Sequence, residues 1–530
     1  SYRRGGDVEA ILRSMSDVLM ERLSGLSQGA IELAELVSLF ERKVNAGLLL
    51  ELMDRDDRQL AEGLDALLRR GILEEHREGR NPVYCFSHQR IRELVYDRIP
   101  IEQRRLLHRR AAQLLEEEGA ADSGACRRLA RHFALAQQPL QSLIYQVRAL
   151  ELESAHRFEP FPLSGEEQTS ERTAGRLLQE AEECRARLSQ LREQQGGQTV
   201  DRLENQLQLI QGRIFLFQGE TERAVSLLGG LSGSADERDA APMVQACYLL
   251  ASSAIFRQEP ELAERYTATG ARLLSRGRDA AAQARFQRLR GSCFCLRGEY
   301  DKAEYYLHEA LETLEKLPQT PGVRVQLAAA WCDTGRIRRQ KNDYAQACSC
   351  YKRALALLAD GDWPGKVWIC VHYGRAAFLL EDHELARQLF RQGWDHARHT
   401  GELWGRAAAA AYTAYYQAQD DDWDGCAASL GDAVDSQKKL ASPLEGVILN
   451  FAQMHIRLRL ELEQMKDPEL EKLLPYSPES YARQGIRSMP GVPDVYEATL
   501  LAESLRSNIS SRQRYRASEL YSKNKHFMAE

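Results

Sequence analysis

Apolar positions recur along this chain at two spacings, and the helical one dominates. Val8, Ile11, Leu12, Met15, Leu19 and Leu23 share one face of a helix over 8–24. The same rhythm predicts helices near 28–40, 46–53 and 57–70, the last with Leu60, Leu64, Leu67 and Leu68 turned inward. The period then changes. Ile72-Leu73-Glu74-Glu75 and Val83-Tyr84-Cys85-Phe86 predict two strands about a turn at 78–82. Ser87 is placed to cap a helix over 88–99, and another follows over 101–118. Helices, a hairpin and a further helix in that order make the pattern of a small winged-helix module.

Further on, one helix-pair pattern is written twice. Gly291 is followed by Gly298-Glu299-Tyr300, Ala303, Leu307 and Ala310; Gly335 is followed by Asn342-Asp343-Tyr344, Ala347, Tyr351 and Ala354, at the same offsets of 7, 8, 9, 12, 16 and 19. The small first residue lets two helices cross closely. The residues seven and eight later end the first helix, and the aromatic and alanine start the second. With Trp331, these residues resemble the tetratricopeptide repeat (TPR) consensus. Aligned on the small position, six pairs are anchored at Gly212, Ala251, Gly291, Gly335, Gly374 and Ala414. Twelve residues after each anchor stand Ala224, Ala263, Ala303, Ala347, Ala386 and Cys426. The steps of 39, 40, 44, 39 and 40 residues exceed the TPR period of ~34. Loops such as 317–322 and 360–365 absorb part of the excess. A period near forty also suits HEAT-like pairs; the internal offsets select the TPR-like arrangement.

An earlier pair keeps the same offsets from Ala130 through Gln137-Gln138-Pro139 and Ser142 to Ala149. The stretch 158–169, with Pro160, Pro162, Ser164 and Gly165, predicts an irregular insertion. Helix is expected over 170–195, broken by Gly196-Gly197, and again over 444–465, 468–482, 494–505 and 511–528. The expected fold is all-α: a TPR-like α-solenoid with a small N-terminal winged-helix module containing a β-hairpin. Its parts are a linking helix (1–24), the winged-helix module (25–119), a first pair with insertion (120–199), the array (200–442) and a capping region (443–530).

Length and charge narrow the function. A chain of 530 residues exceeds one compact core. Its net charge of −6 argues against nucleic-acid binding by bulk electrostatics. Residues 1–120 hold 19 Arg plus Lys against 22 Asp plus Glu, and the helix before the hairpin carries Asp56, Asp57, Glu62 and Asp65 beside Arg58, Arg69 and Arg70. A duplex reader must neutralise several phosphates, so the module is expected to relay and not to read bases. No apolar run approaches the ~20 residues of a membrane-spanning helix. The 11 cysteines, including Cys293/Cys295 and Cys348/Cys350, lack zinc-site spacing and suit buried small apolar positions in a reducing cytoplasm. His396 and His399 are spaced as a metal pair but lack companions, and no metal is expected. The segment 361–367, ending in Lys366-Val367, departs from a phosphate loop, so neither ATP binding nor enzymatic activity is expected.

The runs Leu23-Ser24-Gly25-Leu26-Ser27, Leu67-Leu68-Arg69-Arg70-Gly71-Ile72-Leu73, Phe86-Ser87-His88-Gln89-Arg90-Ile91-Arg92-Glu93-Leu94-Val95-Tyr96 and Arg104-Arg105-Leu106-Leu107-His108-Arg109-Arg110-Ala111 resemble the winged-helix part of bacterial STAND-type signalling ATPases. The lengthened repeats resemble the sensor of the maltose-regulon-activator type. The resemblance implies a regulator whose ATPase module lies upstream of Ser1, outside this fragment, so that ATP or ADP would act only through it. It also implies that His88 contacts nucleotide phosphate in such a switch; the residue's own position is that of a first-turn histidine that caps or packs locally.

In a TPR solenoid the first helices line the concave side. The residue after each anchor then forms an inward ladder of Arg213, Ser252, Ser292, Arg336, Arg375 and Tyr415, with Arg288, Arg339, Trp368 and Phe378 nearby. Arginines beside aromatics favour carboxylates and phosphates. The expected partner is an effector in that groove: an acidic peptide, a protein tail or an anionic small molecule. The alternatives are salt bridging within the solenoid and a scaffold that holds a protein without switching.

Overall fold

A computed structural model describes residues 25–474, apart from 54–55, 79–80, 156–160, 162–170, 195–196, 233–239, 275–278, 360, 362, 364, 441 and 464. The helices expected over 8–24, 494–505 and 511–528 lie outside the described residues, as does most of the insertion. The chain divides between Ala149 and Leu150 into two compact units.

The first unit runs α1 (Gln28–Ser38), β1 (Val44–Asn45), α2 (Ala46–Met53), α3 (Asp57–Arg69), β2 (Leu73–Glu78), β3 (Asn81–Phe86), α4 (Gln89–Arg98), α5 (Ile101–Glu118), α6 (Ser123–Leu135) and the start of α7 (Pro139–Ala155). Ser27 and Asp56 cap α1 and α3 by accepting from the backbone N–H of Ala30 and Gln59. The sheet is antiparallel in the order β1-β3-β2. β1 was not expected, because two residues are too short to show an alternating pattern. Leu33, Leu49, Leu67 and Ile72 are fully buried at its centre. A buried imidazole pair lies beside that core. His108 Nδ1 and His132 Nδ1 are 2.9 Å apart, and the Tyr96 hydroxyl meets His108 Nε2 at 2.9 Å. One Nδ1 must donate and the other accept, so the accepting ring is neutral. Burial, with nearby arginine charge, pushes His108 down to about 4; burial, with His108 and arginine charge, pushes His132 down to about 3.

In the second unit α8 (Glu171–Gln194) precedes six antiparallel pairs. They are α9 (Gln198–Gln218) with α10 (Thr221–Ser232), α11 (Ala240–Phe256) with α12 (Pro260–Leu274), and α13 (Ala280–Leu296) with α14 (Tyr300–Lys316). α15 (Pro321–Gln340) pairs with α16 (Tyr344–Leu357), α17 (Lys366–Leu379) with α18 (His383–Thr400), and α19 (Arg406–Gln419) with α20 (Trp423–Leu440). α21 (Pro443–Leu462) and the short α22 (Pro468–Leu473) follow. No described helix is long and apolar enough to cross a membrane.

The sequence offsets become contacts. A Cβ placed on Gly212, Gly291, Gly335 or Gly374 would meet the side chain sixteen residues later, Leu228, Leu307, Tyr351 or Phe390, at 2.6–2.8 Å. The residue seven after each anchor is left-handed in every pair: Gly219, Gln258, Gly298, Asn342, Glu381 and Asp421, with φ between 61° and 81°. Gln137 of the earlier pair matches at φ 57°. This is a repeated Schellman ending, in which Glu259, Asp343 and Asp382 return their N–H to the carbonyls of Ala254, Arg338 and Ala377.

The array winds tightly. The Phe256 ring at the end of α11 stacks on Trp404 at 5.3 Å and lies 5.4 Å from Trp368, three pairs onward. Gly219, in the first pair's turn, sits so close to the Lys439 carbonyl at the end of the sixth pair that a Cβ would collide with it. The first helices are therefore buried on most of their faces, and the second helices on one.

Candidate functional site

At the centre of this winding lies a cleft of about 60 Å³. Ser252, Ile255 and Phe256 of α11 line it, with Arg288 and Ser292 of α13, Cys332, Asp333 and Arg336 of α15, Trp368 of α17, and Glu402 and Trp404 from the loop before α19. Successive first helices each present one inner face at helical spacing, which brings Arg288 beside Ser292 and Asp333 beside Arg336.

Asp333 organises the charge. Its Oδ2 accepts from Arg288 Nη1 and Ser292 Oγ, both at 2.8 Å, and its Oδ1 accepts from Arg336 Nη1 at 3.1 Å. The two arginines expected to present free guanidinium groups are thus held by one buried carboxylate. The Arg288 head still reaches Tyr248 Oη at 3.5 Å and lies 5.5 Å from the Phe161 ring. Ser252 Oγ, Arg288 Nε and Glu402 Oε2 are buried polar atoms with no hydrogen-bond partner among the described residues. Glu402 is only 7% exposed and accepts at Oε1 from the Gly365 N–H at 2.8 Å, at the start of α17. Burial pushes its carboxyl up to about 8, with the Gly365 bond opposing and Glu445 adding. Near neutrality it therefore carries a proton that it can donate into the cleft. Glu445 does the same job one pair later. It accepts from the Gly405 and Ala408 N–H groups, and burial raises it to about 7.

Phe161, from the insertion, fills part of this space. It is 8% exposed and packs with Val325, Ala328, Ala329 and Cys332 of α15. Its carbonyl accepts from Gln326 Nε2 at 2.6 Å, Tyr248 Oη at 3.4 Å and Arg285 Nη2 at 3.5 Å. The open hollow expected from the helix pattern is therefore reduced to a narrow cleft, occupied in part by the chain's own phenylalanine. Tight winding is the cause.

The sequence-derived ladder divides accordingly. Ser252, Arg288, Ser292, Arg336 and Trp368 line the cleft. Arg339 and Arg375 lie deeper, 7% and 1% exposed, around the buried imidazole of His372. Burial, with the Arg339 charge, brings the Arg375 guanidinium down to about 10. Phe378 and Tyr415 are core residues, their rings 6.3 Å apart. Arg213 is buried away from the cleft and donates to Ser154 Oγ at 3.1 Å. An inward-facing position on a first helix here points into packed protein as often as into the cleft. Asp333, Glu402, Tyr248 and Phe161 were not anticipated: three look like surface or core residues by periodicity, and Phe161 sits in a segment with none.

Outside the cleft, His88 is exposed at the start of α4 and makes no capping hydrogen bond through its side chain. On α3, Arg58 pairs with Glu62 and Arg69 with Asp65, so its outward arginines are matched by its own acids. His396 faces the Trp363 carbonyl at 3.4 Å. Among the described residues one trio could hold a metal ion: Glu74, His76 and Cys85, whose ligand atoms lie within 4.8 Å of one another. The hairpin register, which sets Glu74 opposite Cys85, creates it, and linear spacing does not reveal it. The cysteines form no disulfide, and most are buried.

No protein-family model matches the chain, and no curated protein matches it in sequence. Solved structures do match in fold. A signal-transduction ATPase with numerous domains (STAND) with a tetratricopeptide repeat sensor, from Pyrococcus horikoshii, aligns over 92% of this chain and 66% of its own, at 16% identity and TM-score 0.51. A Rap protein complexed with competence and sporulation factor aligns over 76% of this chain and 99% of its own, at 11% identity and TM-score 0.46. Aspartyl phosphate phosphatase F from Bacillus subtilis aligns over 79% and 92%, at 13% and 0.40. This chain spans less than two thirds of the length of the STAND protein. At these identities the likeness is one of fold: the chain is a TPR-like α-solenoid.

Proposed function

We propose that the repeat unit is a sensor that binds a small ligand in the cleft between Ser252, Arg288, Asp333 and Trp404. Binding, and not catalysis, is its task. The observation that carries this reading is the set of buried, unpartnered polar atoms, Ser252 Oγ, Arg288 Nε and Glu402 Oε2, on one narrow space. A buried polar atom without a partner costs about 1–3 kcal/mol, and a ligand that satisfies it recovers that cost. A cleft of about 60 Å³ favours a small effector over a protein tail gripped along the inner face, which speaks against the scaffold reading.

The finer reading follows the residue resemblance. Occupancy of the cleft is relayed through the winged-helix module to an upstream nucleotide-dependent switch that controls transcription, by differential contact with two states of that switch. His88, exposed at the start of α4, is the residue through which that switch would feel nucleotide. Native mass spectrometry tests the binding step. The intact chain should carry an added small mass that Ser252→Trp, which fills the cleft, lacks. Equal masses for both proteins would remove the sensor reading.

A further inference from the structure

The Phe161 seat is built in a way that its present occupant does not use fully. Three side chains from three successive first helices, Tyr248, Arg285 and Gln326, aim donors at one backbone carbonyl oxygen. All three are at most 2% exposed. A carbonyl oxygen has two lone pairs, and only the Gln326 contact, at 2.6 Å, is short; the others stretch to 3.4 and 3.5 Å. The Arg285 guanidinium lies on the Tyr248 ring at 3.3 Å, which holds it flat and facing the same point. Meanwhile Gln326 Oε1 is buried without a partner. Arg285 Nη1 also donates to Gln245 Oε1 at 3.5 Å; the cradle thus aims three donors at one neutral carbonyl oxygen, and among the described residues nothing donates to Gln326 Oε1. A carboxylate, with two oxygens and about four lone-pair sites, matches the donors. An adjoining amide N–H matches Gln326 Oε1. The ring beside them belongs to one buried apolar cluster with Val325, Ala328 and Ala329.

We propose that Phe161 occupies a receptor for an aromatic ring joined by a short arm to a carboxylate, as at a peptide C-terminus ending in phenylalanine or in a free aryl acid. The inference rests on the reading of the cleft as a ligand site and names the chemistry that site selects. Phe161 and the ligand compete for one slot, with the internal carbonyl as the weaker stand-in for a carboxylate.

The test uses the intact chain, its Phe161→Ala and Phe161→Leu variants, and calorimetric titration. N-acetyl-phenylalanine should bind Phe161→Ala about tenfold or more tighter than it binds the unaltered chain, and about tenfold tighter than N-acetyl-phenylalaninamide does. Adding Arg285→Gln to Phe161→Ala should erase the preference for acid over amide. Tighter binding of a hexapeptide ending in phenylalanine than of the N-acetyl acid assigns the source as a peptide, and equal binding assigns it as a small acid. Acid and amide binding equally, or neither binding a variant that melts cooperatively, overturns the proposal. Phe161→Leu, which keeps apolar volume in the slot, serves if the alanine variant does not fold. A ligand mass lost in Ser252→Trp, with no binding of the acid to either Phe161 variant, would sink this inference and leave the sensor reading standing.

Discussion

The two helices of each pair solve different problems. The second helices bury one stripe of small and apolar residues, such as Ala303, Leu307, Ala310 and Leu314 of α14, and keep charged side chains outside. The first helices are buried on nearly all sides. Among the described residues, every buried charged or imidazole side chain on the helices of the six pairs lies on a first helix: Arg213, Arg285, Arg288, Asp333, Arg339, His372 and Arg375. The second helices thus contribute packing, and four of the six first helices contribute buried charge or imidazole. Stability in the first kind follows from shape, and in the second from keeping a polar network satisfied.

That contrast can be broken most severely at Asp333. Asp333→Ala removes the carboxylate shared by Arg288 and Arg336 and should cost about 3–5 kcal/mol in denaturant unfolding, because it leaves the buried Arg288 and the half-buried Arg336 guanidinium without their acid. Lys352→Ala, on the exposed face of α16, should change stability by less than about 0.5 kcal/mol in the same assay. Shape is tested by Gly374→Val. Even a Cβ there meets the Phe390 ring at 2.6 Å, so a loss of about 1–3 kcal/mol is expected. If Gly374→Val proves neutral, the close crossing of α17 and α18 is wrong.

The buried carboxyls give a pH dependence with a definite sign. Glu402 and Glu445 are raised in the folded chain, to about 8 and about 7. Their stabilising contribution is complete below the ordinary carboxylate range and is lost as pH rises through those values. Below about pH 6.5 the neutral buried imidazoles of His108 and His132 act in the opposite direction, so the melting temperature should fall between pH 7 and pH 8, and Glu402→Gln should flatten that fall. A rising melting temperature over this interval would contradict both assignments. One substitution should give a gain. Glu381 holds a left-handed φ of 62°, which glycine adopts without a Cβ penalty, so Glu381→Gly should add about 0.5–1 kcal/mol by thermal unfolding.

The packing half of this architecture was legible in the sequence. The anchors, the turn residue seven later and the partner sixteen later can be read from spacing alone, because each marks a steric need that few residue types meet. Gly335 with Tyr351 and Gly374 with Phe390 are such pairs. The polar half was not. Nothing in the spacing of Asp333 separates a buried hub from a surface acid, since its partners Arg288 and Ser292 stand 45 and 41 residues away. Phe378 and Tyr415 faced inward as expected, but the pitch of the winding decides whether inward means a groove or a core. Phe161 lay beyond periodicity altogether, in a stretch whose prolines mark irregular chain without saying where it goes.

The contact between Gly219 and the Lys439 carbonyl alters how such an array can come apart. An open stack has nearest-neighbour energetics, and its terminal repeats fray independently. Here the first turn is latched to the sixth, so peeling off either end also releases the other. A repeat protein latched in this way should lose its ends together, and the insertion or deletion of one pair would have to break the latch before it could be tolerated.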